Sequence, residues 1–323
     1  MTKSALVSRR PEPIKSLLRL TALVCVTMIL VAPRSSNAQD SGLSFLRVGP
    51  DAKALALGDA GVASASGARA TYWNPAGLAS SMSKQVSFSH HIWIADVRTL
   101  ALQSSFPVGK KTGVGFFVVA TGAGDLEART NPGASEGFFN AQFVSTGVSV
   151  GRSFGFVRAG ATVKYLSERI FTSSANGYAF DFGLQSSFLD ESVVAGVTYS
   201  NLGKMEALNV AATKLPEIGR AGIEFYPFRI LTETDGAQLL STSVSVEWSR
   251  NTATEESQFH VGLSGEVLET VTARVGYLTN DALRSFSAGL GLDISNLLVD
   301  YAMIPFEDGF GGPAHIMTVA YSW

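Results

Sequence analysis

The sequence predicts a transmembrane antiparallel β-barrel of about 14 strands with a short N-terminal hatch segment. Three observations carry this reading. Segments that alternate apolar and polar residues recur to the C-terminus, the connections between them alternate between short and long, and no run after residue 32 is long and apolar enough for a membrane helix.

The pattern is plainest in Leu240–Ser249, read LSTSVSVEWS. Leu240, Thr242, Val244, Val246 and Trp248 take one face of a strand, and Ser241, Ser243, Ser245, Glu247 and Ser249 take the other. Ten residues closed by an aromatic match a tilted membrane-crossing strand. A single alternating segment is a weak signal, because half-buried soluble strands alternate as well, so the repetition carries the weight. From Gln85 onward fourteen strands can be placed, near 85–95, 97–107, 112–121, 141–153, 156–167, 178–189, 192–201, 217–227, 239–249, 257–267, 270–279, 284–294, 296–304 and 313–323.

Loop lengths discriminate further. Connections after even-numbered strands are mostly tight, such as Gly109-Lys110-Lys111, Phe154-Gly155 and Leu268-Glu269. Those after odd-numbered strands are mostly longer, among them Gly122–Asn140, Glu168–Gly177 and Leu202–Pro216. Asp96 and Phe228–Gln238 break the rule. Short turns on one rim and long loops on the other are the outer-membrane arrangement, and an even strand count places both mature termini on the periplasmic rim. The last strand carries Met317, Val319, Tyr321 and Trp323 on its apolar face. Ending on that aromatic resembles the C-terminal insertion signal read by the barrel-assembly machinery.

Residues 1–38 read as a cleaved signal peptide. Lys3, Arg9, Arg10, Lys15 and Arg19 precede the uncharged, mostly apolar run Leu20–Ala32, and Ser36-Asn37-Ala38 supplies a small-residue cleavage site. Cys25, the one cysteine, lies inside that run, so the mature chain offers no thiol for a disulfide, a nucleophile or a metal. The whole chain has 25 Lys+Arg against 27 Asp+Glu, and losing six basic residues and Glu12 with the leader brings the balance to −7. That charge offers no electrostatic footprint for nucleic acid.

Residues 39–84 form the hatch segment and 85–323 the barrel. Within 41–82 nothing alternates: the stretch is rich in Ala and Gly and allows only a short helix around Ala52–Ala60. Leu43, Phe45, Leu46, Leu55, Leu57, Tyr72 and Trp73 call for burial but are too few for a core of their own, so the segment must fold into or under the barrel. In Asn74-Pro75-Ala76-Gly77, Asn caps a turn, Pro fixes its backbone, and Ala and Gly let other backbone approach.

Leu46–Ala63, read LRVGPDAKALALGDAGVA and including Gly58 and Asp59, followed by Tyr72–Ala79, read YWNPAGLA, resembles the opening of the PorV/PorQ family, within the wider FadL-like group of outer-membrane proteins. The resemblance covers the hatch in detail and the rest in architecture. It implies a 14-stranded barrel with an N-terminal hatch. PorV-like members are accessory components of type IX secretion, receiving exported cargo proteins at a translocon and passing them to the surface. FadL-like members instead carry hydrophobic small molecules. The shared motif does not decide between these.

Little chemistry is legible. His90 and His91 face opposite sides of one strand, His260 points to the lumen and His315 lies near a strand end, so no metal site is expected. No nucleophile elbow, phosphate loop or zinc-protease motif occurs, and neither a catalytic residue nor a cofactor is assigned. Arg158, Lys164, Asp181, Arg220, Glu224, Glu247 and Arg274 are predicted inward as a polar lumen network that braces the barrel. The inner faces of strands 4, 9 and 12 are mainly Ser and Gly and give no continuous apolar path, while Phe117, Val119 and Phe143 can line part of one, the third strand being ambiguous in phase. A polar lumen tilts the reading towards a shuttle for protein secretion and surface attachment. The alternative is a channel for hydrophobic small molecules. Expected partners are outer-membrane lipid, the assembly machinery, and either a translocon with its cargo or an apolar ligand.

Overall fold

The computed structural model describes residues 43–129, 135–208, 212–227, 240–307 and 311–323. The expected leader and its cleavage site lie outside the described residues. Fourteen strands follow the hatch: β1 Gln85–Ile92, β2 Arg98–Val108, β3 Thr112–Ala128, β4 Gly137–Ser153, β5 Val157–Ile170, β6 Ser173–Phe188 and β7 Val193–Met205, then β8 Ile218–Phe225, β9 Leu240–Asn251, β10 Ser257–Val267, β11 Val271–Leu278, β12 Phe286–Ile294, β13 Leu297–Ile304 and β14 Ala314–Ser322. Each pairs antiparallel with its sequence neighbour, and β1 closes on β14 in the register Phe88↔Val319 and His91↔Ile316. Closure gives every strand a partner on both sides, as a wall in hydrocarbon requires.

The alternation is turned inside out relative to a soluble sandwich. On β9 the buried residues are Ser243, Ser245, Glu247 and Ser249, while the apolar face looks outward. Val163, Leu184 and Leu290 are more than half exposed on the outer surface. An apolar exterior and a polar interior suit a barrel whose outside meets lipid.

At one rim, Lys84 and Trp323 exchange backbone hydrogen bonds of 3.2 and 3.0 Å, so the start of the barrel and the C-terminus are stitched together. Met317, Tyr321 and Trp323 are exposed on the outer face with half-buried Val319, and the Tyr321 and Trp323 rings stack at 5.9 Å. The turns beside these termini include 109–111, 154–156, 268–270 and 295–296.

The opposite rim departs from the sequence expectation. The connection read as Glu168–Gly177 is the two-residue turn Phe171-Thr172, and that read as Gly122–Asn140 shrinks to 129–136. Strands β3 to β7 run 17, 17, 14, 16 and 13 residues and absorb those loops. Strands β11 to β14 and β1 have only 8 or 9. The wall is therefore tall on one side and low on the other.

Candidate functional site: the hatch, its seat and an apolar tract

The hatch contains only short helical pieces, Ala52–Ala56, Ala70–Trp73 and the 3₁₀ stretches Ser44–Arg47, Gly67–Arg69 and Pro75–Ser80. Pieces this short leave most of their N–H and C=O groups without an internal partner. Buried backbone groups must find partners, and here the inward polar side chains of the barrel supply them. Thr318 Oγ1 accepts from Ala52 N–H at 2.9 Å, and Ser287 Oγ accepts from Gly58 N–H at 3.1 Å. Glu247 Oε2 accepts from both Gly61 and Val62 N–H, at 3.0 and 2.9 Å. In the other direction, Gln185 Nε2 donates to Ala63 O and Ala65 O, and Ser149 Oγ donates to Thr71 O. His260 Nδ1 lies 2.8 Å from Gly58 O, which can only accept, so Nδ1 carries that proton and Nε2 faces Ser249 Oγ at 2.8 Å.

Asn74-Pro75-Ala76-Gly77 docks the lower part of the hatch. Asn74 Oδ1 accepts from Ala76 N–H, and its Nδ2 donates to Val62 O within the hatch and to Leu184 O on β6, both at 3.0 Å. The wall beneath is paved with glycine. A Cβ on Gly151 or Gly160 would overlap Pro75 backbone, and one on Gly183 would overlap the Asn74 side chain. A Cβ on Gly77 would overlap Ala65 O. Much of the small inner face on β4, β5, β6 and β12 is thus contact surface for the hatch, whereas on β9 Ser243 and Ser245 face Glu224 and Ser249 faces His260.

Charges organise the upper part. Asp51 caps Ala52–Ala56 through Ala54 N–H, accepts from Arg69 Nε at 2.7 Å, and accepts from Trp73 Nε1 at 2.6 Å. Burial alone would raise the Asp51 pKa. The Arg69 charge and the Trp73 and Ala54 hydrogen bonds outweigh it and hold the carboxyl below the ordinary range. The Trp73 ring is wedged between Gly49 and Gly61, where any Cβ would overlap it, and the Arg220 guanidinium lies 5.1 Å from its centroid. Asp59, at a left-handed φ of 68°, accepts from Gly49 N–H and pairs with Arg284 at 3.3 Å and Arg220 at 3.9 Å. Burial pushes the Asp59 carboxyl up, and the two arginines only partly pull it back.

The seven residues predicted inward do point inward, but they form separate groups. Arg220 pairs with Glu247 at 2.8 Å, and Lys164 pairs with Asp181 at 2.6 Å. Arg274 pairs with Asp300, a residue not singled out in the sequence, at 2.6 Å. Arg158 donates to Ser187, and Glu224 accepts from Ser243 and Tyr226. Sequence reasoning also missed Arg69, Arg284 and the hatch-facing role of His260. Asp181 additionally accepts from Asn201 N–H where β7 bulges against β6. Among the described residues no three His, Cys, Asp or Glu side chains are grouped to hold a metal.

Apolar side chains meet the hatch on two sides of the lumen. On the low wall Ala302, Ile304, Ala314 and Ile316 pack against Ala52, Leu55 and Ala56. The larger tract is on the tall side. Leu166, Ala175, Ala179, Met205 and Leu215 form a buried cluster with Leu43 and Leu46 of the hatch, and Phe45, Phe143 and Leu208 pack against it. Phe45 stacks on Phe143 at 5.9 Å. The tract continues to Phe117 and Val119, where Tyr72 meets Phe117 edge-on at 6.0 Å. Apart from the hatch residues and Ala101 on β2, it lies along the tall wall, on β3 to β7 and the connection after β7.

No protein-family model matches the sequence, and no curated protein sequence does either. Solved structures do match in fold. The toluene transporter TodX of Pseudomonas putida superposes with a TM-score of 0.62 at 12% identity, covering 85% of this chain and 98% of TodX. The toluene transporter TbuX of Ralstonia pickettii gives 0.57 at 14% identity, covering 84% and 97%. A FadL homologue of Pseudomonas aeruginosa gives 0.51 at 11%, covering 84% and 98%. The fold is that of FadL-type outer-membrane barrels.

Proposed function

We propose that the protein is an outer-membrane channel for hydrophobic small molecules, with the hatch as its obstruction, and not an enzyme. One observation carries the reading: the inner wall has an apolar tract, Phe143, Leu166, Met205 and Leu215 leading to Phe117 and Val119, covered by Leu43, Phe45 and Leu46 of the hatch. Apolar side chains facing the lumen of a barrel need a reason, and a greasy lining for an apolar solute supplies one. In the resting state the hatch side chains satisfy that lining, so a solute would take their place. Two of the structural neighbours are toluene transporters, which supports the solute class. Of the Ser and Gly faces that tilt the sequence towards secretion, those on β4 and β12 seat the hatch and favour neither reading.

The test is uptake of radiolabelled toluene by cells producing the barrel. Leu166→Glu and Met205→Glu place a charge in the tract and are expected to cut uptake to the background of cells lacking the protein, with the amount of folded barrel unchanged. Undiminished uptake by both variants would overturn the proposal.

A further inference from the structure

The tall wall has an outer face as well as an inner one, and its residues form rows across the strands. Val148, Val163, Phe180 and Leu202 make one row, and Val150, Ala161, Phe182 and Tyr199 make the row below it. Above them comes the row Thr146, Tyr165, Tyr178 and Lys204, in which the Lys204 ammonium lies 5.9 Å from the centre of the Tyr178 ring. Aromatic residues above an apolar band mark the level where hydrocarbon gives way to headgroups.

The outer face continues past that level and changes character. The next rows pair Ser167 with Asn176, then Arg169 with Gln142 on one side and Ser174 on the other. These residues, with Thr172 of the turn and the one apolar side chain Val144 on β4, line a depression of about 360 Å³ open to the outside. Arg169 is exposed, and its side chain has no ion-pair or hydrogen-bond partner among the described residues. Asn176 Oδ1 is held by the Tyr165 hydroxyl at 2.7 Å, which ties the floor of the depression to the tyrosine row. Glu206, exposed at the end of β7's outer face, is the nearby acid, and its N–H is taken by Asn176 O. Arg169 is four residues beyond Tyr165, roughly 10 Å higher for a strand rising ~3.3 Å per residue at a ~40° tilt.

We propose that this depression seats the phosphorylated saccharide headgroup of an outer-leaflet glycolipid, with Arg169 as the phosphate ligand. The shape and chemistry agree. A guanidinium binds phosphate oxygens in pairs, and the surrounding amides and hydroxyls match the hydroxyls of a sugar. The height matches the headgroup layer flanking the hydrocarbon core. This inference uses the membrane placement proposed above and is independent of what passes through the lumen.

The experiment is native mass spectrometry of the detergent-solubilised full barrel with bisphosphorylated lipid A, and with the same lipid A after removal of both phosphates. Wild type is expected to retain the phosphorylated form about tenfold better. Arg169→Ala should bring retention down to the dephosphorylated level, and Ser174→Glu, which sets a carboxylate beside Arg169, should do the same. Arg169→Lys should keep part of the preference, because the charge stays and the paired geometry is lost. Heat-shifted gel mobility confirms that each variant is folded. Equal retention of the two lipids by wild type would overturn the proposal. So would undiminished preference in folded Arg169→Ala, or loss of toluene uptake accompanying loss of lipid A retention.

Discussion

Glu247 Oε2 takes the N–H of Val62 at 2.9 Å and of Gly61 at 3.0 Å, while its Oε1 takes Arg220 Nη1 at 2.8 Å. One carboxylate of the wall therefore holds both the backbone of the hatch and the cation stacked on Trp73. Glu247→Ala would leave two buried N–H groups without their acceptor and take from the buried Arg220 guanidinium its nearest carboxylate, with Asp59 left at 3.9 Å. The expected loss is about 3–5 kcal/mol of hatch docking. Limited proteolysis should then cut within residues 43–84 while the barrel keeps its heat-shifted gel mobility.

Trp73 offers an independent check on the same joint. Gly61→Ala drives a methyl into the indole plane, and overpacking of this kind costs about 1–3 kcal/mol. The expected result is increased quenching of Trp fluorescence by a soluble quencher. To assign the change to Trp73, the measurement is repeated in a background where the other three tryptophans are Phe.

Asp51 sets a pH dependence. Its folded pKa lies below the ordinary value of 3.8, so its ionised form contributes stability that is fully present above that value. The contribution is lost as pH falls further, through the folded pKa. Reconstituted wild-type barrels should therefore become protease-sensitive in the hatch, or more conductive, on acidification below about pH 4. Asp51→Asn should start out looser at pH 7 and change less on acidification.

Trp323 is expected to matter for assembly beyond its contribution to stability. Deleting it removes the stack on Tyr321 and the backbone pair with Lys84. Folded barrel recovered from outer membranes should fall several-fold, while Trp323→Phe should restore most of it. Equal recovery for the deletion and wild type would remove the insertion-signal reading of Met317, Val319, Tyr321 and Trp323.

The strands were legible because a barrel wall in lipid enforces a period of two wherever its outside is apolar. Legibility failed above the tyrosine row. There the outer face turns to Gln142, Ser167 and Arg169, alternation collapses, and the upper ends of β4, β5 and β6 read as loops. The site was half legible for a different reason. Periodicity places Arg220, Glu247 and Arg274 inward, but it is silent on partners such as Arg284 with Asp59, 225 positions apart. It is equally silent on whether an inward serine or glycine faces water or another backbone, as Gly160 under Pro75 and Ser149 at Thr71 O face backbone here.

The unequal wall gives the mouth of the barrel a bevel. Seventeen residues in β3 against eight in β13 make a difference in height of roughly 20 Å once tilt is included. Such a mouth looks sideways, over the low sill formed by β11 to β14 and β1. On the channel reading proposed above, a solute drifting along the membrane surface would cross the sill and meet the tall wall as a backstop. On the inner side of that backstop lie Phe143, Leu166 and Met205, behind Leu43, Phe45 and Leu46 of the hatch, so on the proposed route an arriving solute meets the hatch side chains first.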